Sequence, residues 1–171
     1  MGKIRSIYNK YEEIIKYLVF GVLTTLVGWA VYFALMYSLK AVFSVDMSDT
    51  SSGKYVAIYT VSQVLQWIAA VLFAFFTNRR WVFTKAERDV PVIPQLVKFA
   101  GGRVLTFGID YLVTLFAGMG IAALISGSTA VELLGREFNV AEISAKLLAA
   151  VIVIICNYIF SKIFVFKNKK S

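Results

Sequence analysis

The feature that most constrains this chain is a set of four long apolar runs separated by clusters of charge. The first runs from Tyr17 to Leu39, with no charged residue between Lys16 and Lys40. The second, Ala57 to Thr77, carries Ser62, Gln63 and Gln66 as its polar interruptions. The third, Phe99 to Ile125, contains Arg103 and Asp110, and the fourth, Ile143 to Phe160, has Lys146 near its start. A membrane-crossing helix needs about 20 predominantly apolar residues, and each run meets that requirement. Composition closes off the soluble alternative. The chain is 59% hydrophobic and 16% charged, against about 45–50% and about 25% in soluble domains. A chain of 171 residues keeps too much surface exposed to hide that apolar excess in one core. With 2 Pro and 11 Gly, disordered and collagen-like structures are excluded as well. The expected fold is an all-α integral membrane protein with four transmembrane helices. The first run is too long for a signal-peptide core and three more follow it, so it reads as retained.

Charge placement gives an expected orientation. Lys3, Arg5, Lys10 and Lys16 precede the first run, Arg79, Arg80, Lys85, Arg88 and Lys98 link the second to the third, and Lys162, Lys167, Lys169 and Lys170 close the chain. Only Lys40, Lys54, Arg136 and Lys146 fall on the other side. The positive-inside bias therefore predicts both termini in the cytoplasm. The two outer loops hold Asp46, Asp49, Glu132, Glu137 and Glu142 and leave no room for a sizeable soluble domain. The net charge of +8 does not point to nucleic acid, because the cations lie between apolar runs rather than on one solvated face. With 0 His and one cysteine, Cys156, a histidine or Cys-rich metal site, His-based acid–base catalysis and an internal disulfide are not expected. No cofactor and no catalytic set is expected.

The two halves of the chain match each other. Lys16 to Leu35 lies over Lys98 to Ala117 at an offset of 82, with Lys16, Val22, Leu23, Thr24 and Val31 meeting identical residues and Tyr17 meeting Phe99. Asn78-Arg79-Arg80-Trp81-Val82-Phe83 lies over Ser161-Lys162-Ile163-Phe164-Val165-Phe166 at an offset of 83. The expected organisation is one membrane domain made of two parallel two-helix repeats, residues 12–83 and 94–166, related by an axis along the membrane normal.

The run Phe76-Thr77-Asn78-Arg79-Arg80-Trp81-Val82-Phe83, its counterpart Asn157 to Phe166 and the Lys-Tyr-Leu-Val-Phe-Gly start at Lys16 to Gly21 carry a resemblance. With four spans and this length, the chain resembles the GtrA-like family over almost its whole extent. That resemblance implies a small, multi-pass protein of the bacterial inner membrane that takes part in cell-surface polysaccharide or teichoic-acid glycosylation. It implies movement of a polyprenyl-phosphate-linked sugar from the cytoplasmic to the outer leaflet, with glycosyltransferases as possible partners. The second motif departs from the first: Ser161-Lys162 replaces Asn78-Arg79, and Phe164 replaces the helix-end Trp81.

The residues themselves suggest two kinds of site. Asn78, Arg79 and Arg80 close span two beside Trp81 and read either as ordinary interfacial charge or as a phosphate site, since Arg offers forked donors. Lys98, Arg103 and Lys162 are the other candidates for phosphate, and a repeat axis would bring Arg79 and Lys162 to one lipid phosphate. Arg103 lies about five residues inside span three, where its length also permits snorkelling. Asp110 stands near the midplane, where an isolated carboxylate costs about 2.5–3.5 kcal/mol or more. It reads as part of a polar path, with Arg103 seven positions earlier as a distant partner, or as a neutral group bonding a neighbouring helix. Gln63, Gln66 and Asn157 supply amides for sugar hydroxyls or for bonds between helices. Gly21, Thr25 and Gly28 form a small-residue stripe expected to pack helices closely. Two other functions compete: a small proton-coupled multidrug exporter using Asp110, and a non-transporting anchor subunit of a membrane glycosyltransferase. Four helices make a thin wall around a headgroup, so a homodimer is expected.

Overall fold

The computed structural model describes residues 2–46, 50, 52–124, 130–133 and 136–167. Four helices dominate: α1 (Gly2–Val42), α2 (Gly53–Thr77), α3 (Val92–Leu124) and α4 (Val140–Phe160). Four stretches are long and apolar enough to cross a membrane: Asn9–Val42 in α1, Gly53–Val82 in α2 and the turn that follows it, Val92–Ile121 in α3, and Ile143–Val165 in α4 and the turn that follows it. The helices outrun the apolar segments. α1 has 41 residues, about 60 Å at helical rise against about 30 Å of hydrocarbon. The chain is an all-α membrane protein, with one small addition. In the loop before α4, β1 (Ala130–Leu133) and β2 (Arg136–Asn139) pair antiparallel, Val131 opposite Phe138.

The chain divides into two compact units, one up to Arg88 and one from Asp89 to Lys167. Each is a helix hairpin built around one seam. Within a bilayer, hydrophobicity does not drive helices together, so close packing and polar bonds must. On α4 the residues facing α3 follow a four-residue spacing, and Ala141, Ala145 and Ala149 are almost fully buried. The line continues through buried Asn157, Ser161 and Val165. Gly118 meets it, with Ala145 Cβ 3.7 Å from where a glycine Cβ would stand. On α2 the same spacing runs through Ile58, Ser62 and Ala74 and continues beyond its end through Asn78 and Val82, all buried.

Both hairpins close in the same way. After α2 and after α4 the helix widens into a five-residue π-helical turn, Asn78–Val82 and Ser161–Val165. The closing bonds run from Phe83 N–H to the Asn78 carbonyl (2.9 Å) and from Phe166 N–H to the Ser161 carbonyl (2.7 Å). Each turn delivers a phenylalanine into the hairpin. Phe83 packs on Tyr17 with ring centres 6.4 Å apart and planes at 56°, and Phe166 packs on Phe99 at 6.0 Å and 58°. Gln95 adds a buried bond from Nε2 to the Val165 carbonyl at 2.8 Å, satisfying an acceptor that the turn frees.

At the other end of hairpin one, α1 stops in a Schellman arrangement. Val45 N–H bonds the Lys40 carbonyl at 2.9 Å and Ser44 N–H the Ala41 carbonyl at 3.3 Å. Ser44 takes φ 51°, where glycine is the usual occupant. Val45 is thereby buried with Met36 and Ile58. Lys40 is buried over the Tyr55 ring (4.9 Å) and donates to the Asp46 carbonyl at 3.3 Å. Ser52 caps α2, its Oγ accepting from Tyr55 N–H at 3.1 Å.

The small-residue stripe expected on span one is only partly a packing seam. Gly28 is buried against Gln66 and Ala70, but nothing lies within 4 Å of the position a Gly21 Cβ would take, and Thr25 is exposed. The densest small-residue seam is on α4. Its alanines carry no polar signal, so nothing in the sequence marks them.

Candidate functional site

Polar groups occur at three levels along the hairpins. The first is the π-turn end. Asn78 is buried and its Oδ1 has no hydrogen-bond partner. Arg79 donates from Nη2 to the Arg88 carbonyl at 3.0 Å, tying the turn to the segment that follows. Arg80 is exposed and lies over the Trp81 ring at 5.8 Å. In hairpin two, Lys162 donates to the Tyr158 hydroxyl at 3.0 Å. Arg103 lies over the Phe99 ring at 5.0 Å, and Lys98 is exposed. Two candidate phosphate ligands, Arg79 and Lys162, thus also make local bonds that hold their side chains in place.

The second level is inside hairpin two. Thr106 donates to Asn157 Oδ1 at 3.0 Å, and both are buried. Thr106 Oγ1 also lies 3.1 Å from each of the Gly102 and Arg103 carbonyls. Gly102 lets α4 come this close, because a Cβ there would run into the Phe160 ring. Asn157 therefore faces its own hairpin and serves as an interhelical bond. The sequence alone leaves it open between that role and a sugar contact.

The third level lies toward the loop end. Gln66 Nε2 donates to Gln63 Oε1 at 3.1 Å, and Gln63 Nε2 to the Tyr59 hydroxyl at 2.9 Å. The pair shares one flank of α2, as its three-residue spacing predicts. In hairpin two the partner of Asp110 is Lys146, with Nζ 2.8 Å from Oδ2. The bond to a neighbouring helix expected for Asp110 is present, made by Lys146 on α4 in place of a long reach from Arg103. Lys146 also approaches Thr114 Oγ1 at 3.4 Å. In the sequence Lys146 stands out only as a charge near the outer loop, since the register of α3 against α4 is not visible in either segment alone. Ser62 was read only as a polar interruption, yet its side chain is fully buried and its Oγ has no partner. Among the described residues, no group of three or more His, Cys, Asp or Glu gathers to hold a metal ion.

Four spans in two hairpins, with polar and charged residues retained inside them, define a small multi-pass membrane protein. The profile of the GtrA/DPMS transmembrane domain matches residues 16–166, and the chain belongs to that family. It is 31% identical over 156 residues to the uncharacterized membrane protein YwcD of Bacillus subtilis, covering 91% of this chain and 97% of that one. It is 29% identical over 175 residues to the cell wall teichoic acid glycosylation protein GtcA of Listeria monocytogenes serovar 1/2a (99% and 95% covered). A GtcA protein of Listeria innocua is 28% identical over 181 residues (99% and 100%). No solved structure matches the chain at a significant level. These relatives place it among multi-pass bacterial membrane proteins.

Proposed function

We propose that this protein moves a polyprenyl-phosphate-linked sugar from the cytoplasmic to the outer leaflet, where the sugar is used in glycosylation of a cell-wall polymer such as teichoic acid. The observation that carries this reading is the polar seam of hairpin one. Asn78 Oδ1 and Ser62 Oγ are buried without partners, and Gln63 and Gln66 lie on the same helix. Burial puts both atoms out of a headgroup's reach in this arrangement, but the half-buried amides of Gln63 and Gln66 can exchange their bonds to each other and to Tyr59 for bonds to a passing sugar's hydroxyls. The names of the GtcA relatives support the setting. At the π-turn end of each hairpin, donors and positive charge are available for a lipid phosphate: Asn78, Arg79 and Arg80 in hairpin one, and Lys98, Arg103 and Lys162 in hairpin two. The match between Tyr17–Phe83 and Phe99–Phe166 supports reading the hairpins as a duplication. Partner glycosyltransferases and a homodimer belong to the same proposal.

The test uses the purified protein in vesicles containing a short-chain polyprenyl phosphate sugar. The parent is expected to expose the lipid to an external glycosidase faster than empty vesicles do. Arg79→Ala slows this while the protein still inserts, and Arg79→Lys restores part, because lysine keeps the charge and loses the fork. Exposure no faster than in empty vesicles overturns the proposal.

A further inference from the structure

Lys146 behaves unlike an ordinary lysine at the edge of a span. It is the fourth residue of the span Ile143–Val165. From there a lysine normally snorkels outward, its stem in lipid and its ammonium at the nearest interface. Here Nζ runs inward, to Asp110 at 2.8 Å and Thr114 at 3.4 Å. Gly118 opposite Ala145 and Thr106 opposite Asn157 fix the register of α3 against α4. By that register Asp110 lies about two turns, roughly 10 Å, nearer the π-turn end than Lys146 does. The lysine side chain is nevertheless 59% exposed and that of Asp110 28%. The pair therefore sits on an open flank of hairpin two and outside its alanine seam, so packing does not require it. The matching stretch of hairpin one carries neutral amides instead, with Gln66 beside Gly28.

We propose that Lys146 is a phosphate-accepting station in the loop-end half of the span, held inward by Asp110 until a phosphate ester or diphosphate displaces that carboxylate. A phosphate group offers more charge and more acceptor oxygens than one carboxylate, and both competitors act in a medium of low dielectric. Lysine suits the task because its charge rides on a flexible four-carbon stem that can swing between two acceptors. The proposal rests on the transport reading above for the source of the phosphate. It adds a second cationic level, about 24 Å along α4 from Lys162.

The test measures binding to the full chain in nanodiscs, with polyprenyl monophosphate as one probe and inorganic phosphate as the other. Lys146→Gln is expected to bind the lipid about tenfold more weakly. Lys146→Arg retains binding, and Asp110→Asn binds more tightly because the ammonium is released. Competition by inorganic phosphate shows that the phosphate alone is recognised. Lipid binding without such competition shows that the tethered headgroup is the ligand. A purely structural pair behaves differently: both single variants lower the melting temperature, and the swap Asp110→Lys with Lys146→Asp restores it with parental binding. That result overturns the proposal, as does unchanged lipid binding in Lys146→Gln. If vesicle transport is intact in Lys146→Gln and binding is parental, the station fails and the transport reading stands. If binding depends on Lys146 but the parent moves no lipid, the transport reading fails and the station stands.

Discussion

Gly101 and Gly102 are neighbours on α3 with opposite surroundings. Nothing stands within 4 Å of a Cβ built on Gly101, whereas one on Gly102 meets the Phe160 ring. Alanine is the better helix former by about 1 kcal/mol, so Gly101→Ala should leave the melting temperature in detergent unchanged or raise it. Gly102→Ala should lower it, because Phe160 must swing away and take α4 with it, loosening the Thr106–Asn157 bond at 3.0 Å. Equal melting temperatures for the two variants would show that the close approach is not what Gly102 provides. In the sequence the two glycines are simply adjacent to each other and to Arg103, with nothing to separate their roles. Asp110 was identifiable from sequence, since a carboxylate in an apolar run announces itself. Lys146, one turn from a loop, did not.

At the scale of elements, the helices were legible because hydropathy accumulates along the chain, and their ends were less so because ends depend on local bonds. α1 runs to Val42, and its Schellman closure requires a left-handed residue at Ser44. A non-glycine residue in that conformation costs roughly 1–2 kcal/mol. Ser44→Gly is therefore expected to raise thermal stability. Ser44→Val should lower it by more, since a β-branched side chain is excluded there. A thermal unfolding series in detergent, with circular dichroism confirming helix content, checks both signs. The π-helical turns were also outside the reach of the sequence. The Asn78 and Ser161 motifs were visible as repeats, but a five-residue spacing of backbone bonds leaves no periodic trace in side-chain type. The turns swing Phe83 and Phe166 onto Tyr17 and Phe99, and offset rings of this kind contribute about 0.5–1.5 kcal/mol beyond area burial.

For the whole molecule, the charge distribution makes a firm prediction. Reporter fusions after Ser171 should be cytoplasmic, and those near Thr50 and Arg136 external. Cysteine labelling in intact cells gives an independent readout. An external C-terminus would overturn the four-span orientation and, with it, the side from which the proposed lipid enters.

The sequence alone determined that the chain lives in a membrane and crosses it four times, and it pointed to an internal repeat, because each of these properties is a sum over neighbouring residues. Apolar content, charge bias and motif spacing survive without knowledge of packing. The tertiary structure decided who faces whom. In an antiparallel hairpin, contact depends on register: the residue numbers of Gly118–Ala145, Thr106–Asn157 and Gly102–Phe160 add to nearly the same value. Loop length and the π-helical closures set that value, and neither helix encodes it separately. Asp110 could therefore be recognised from the sequence as needing a partner, while only the packed hairpin supplied Lys146.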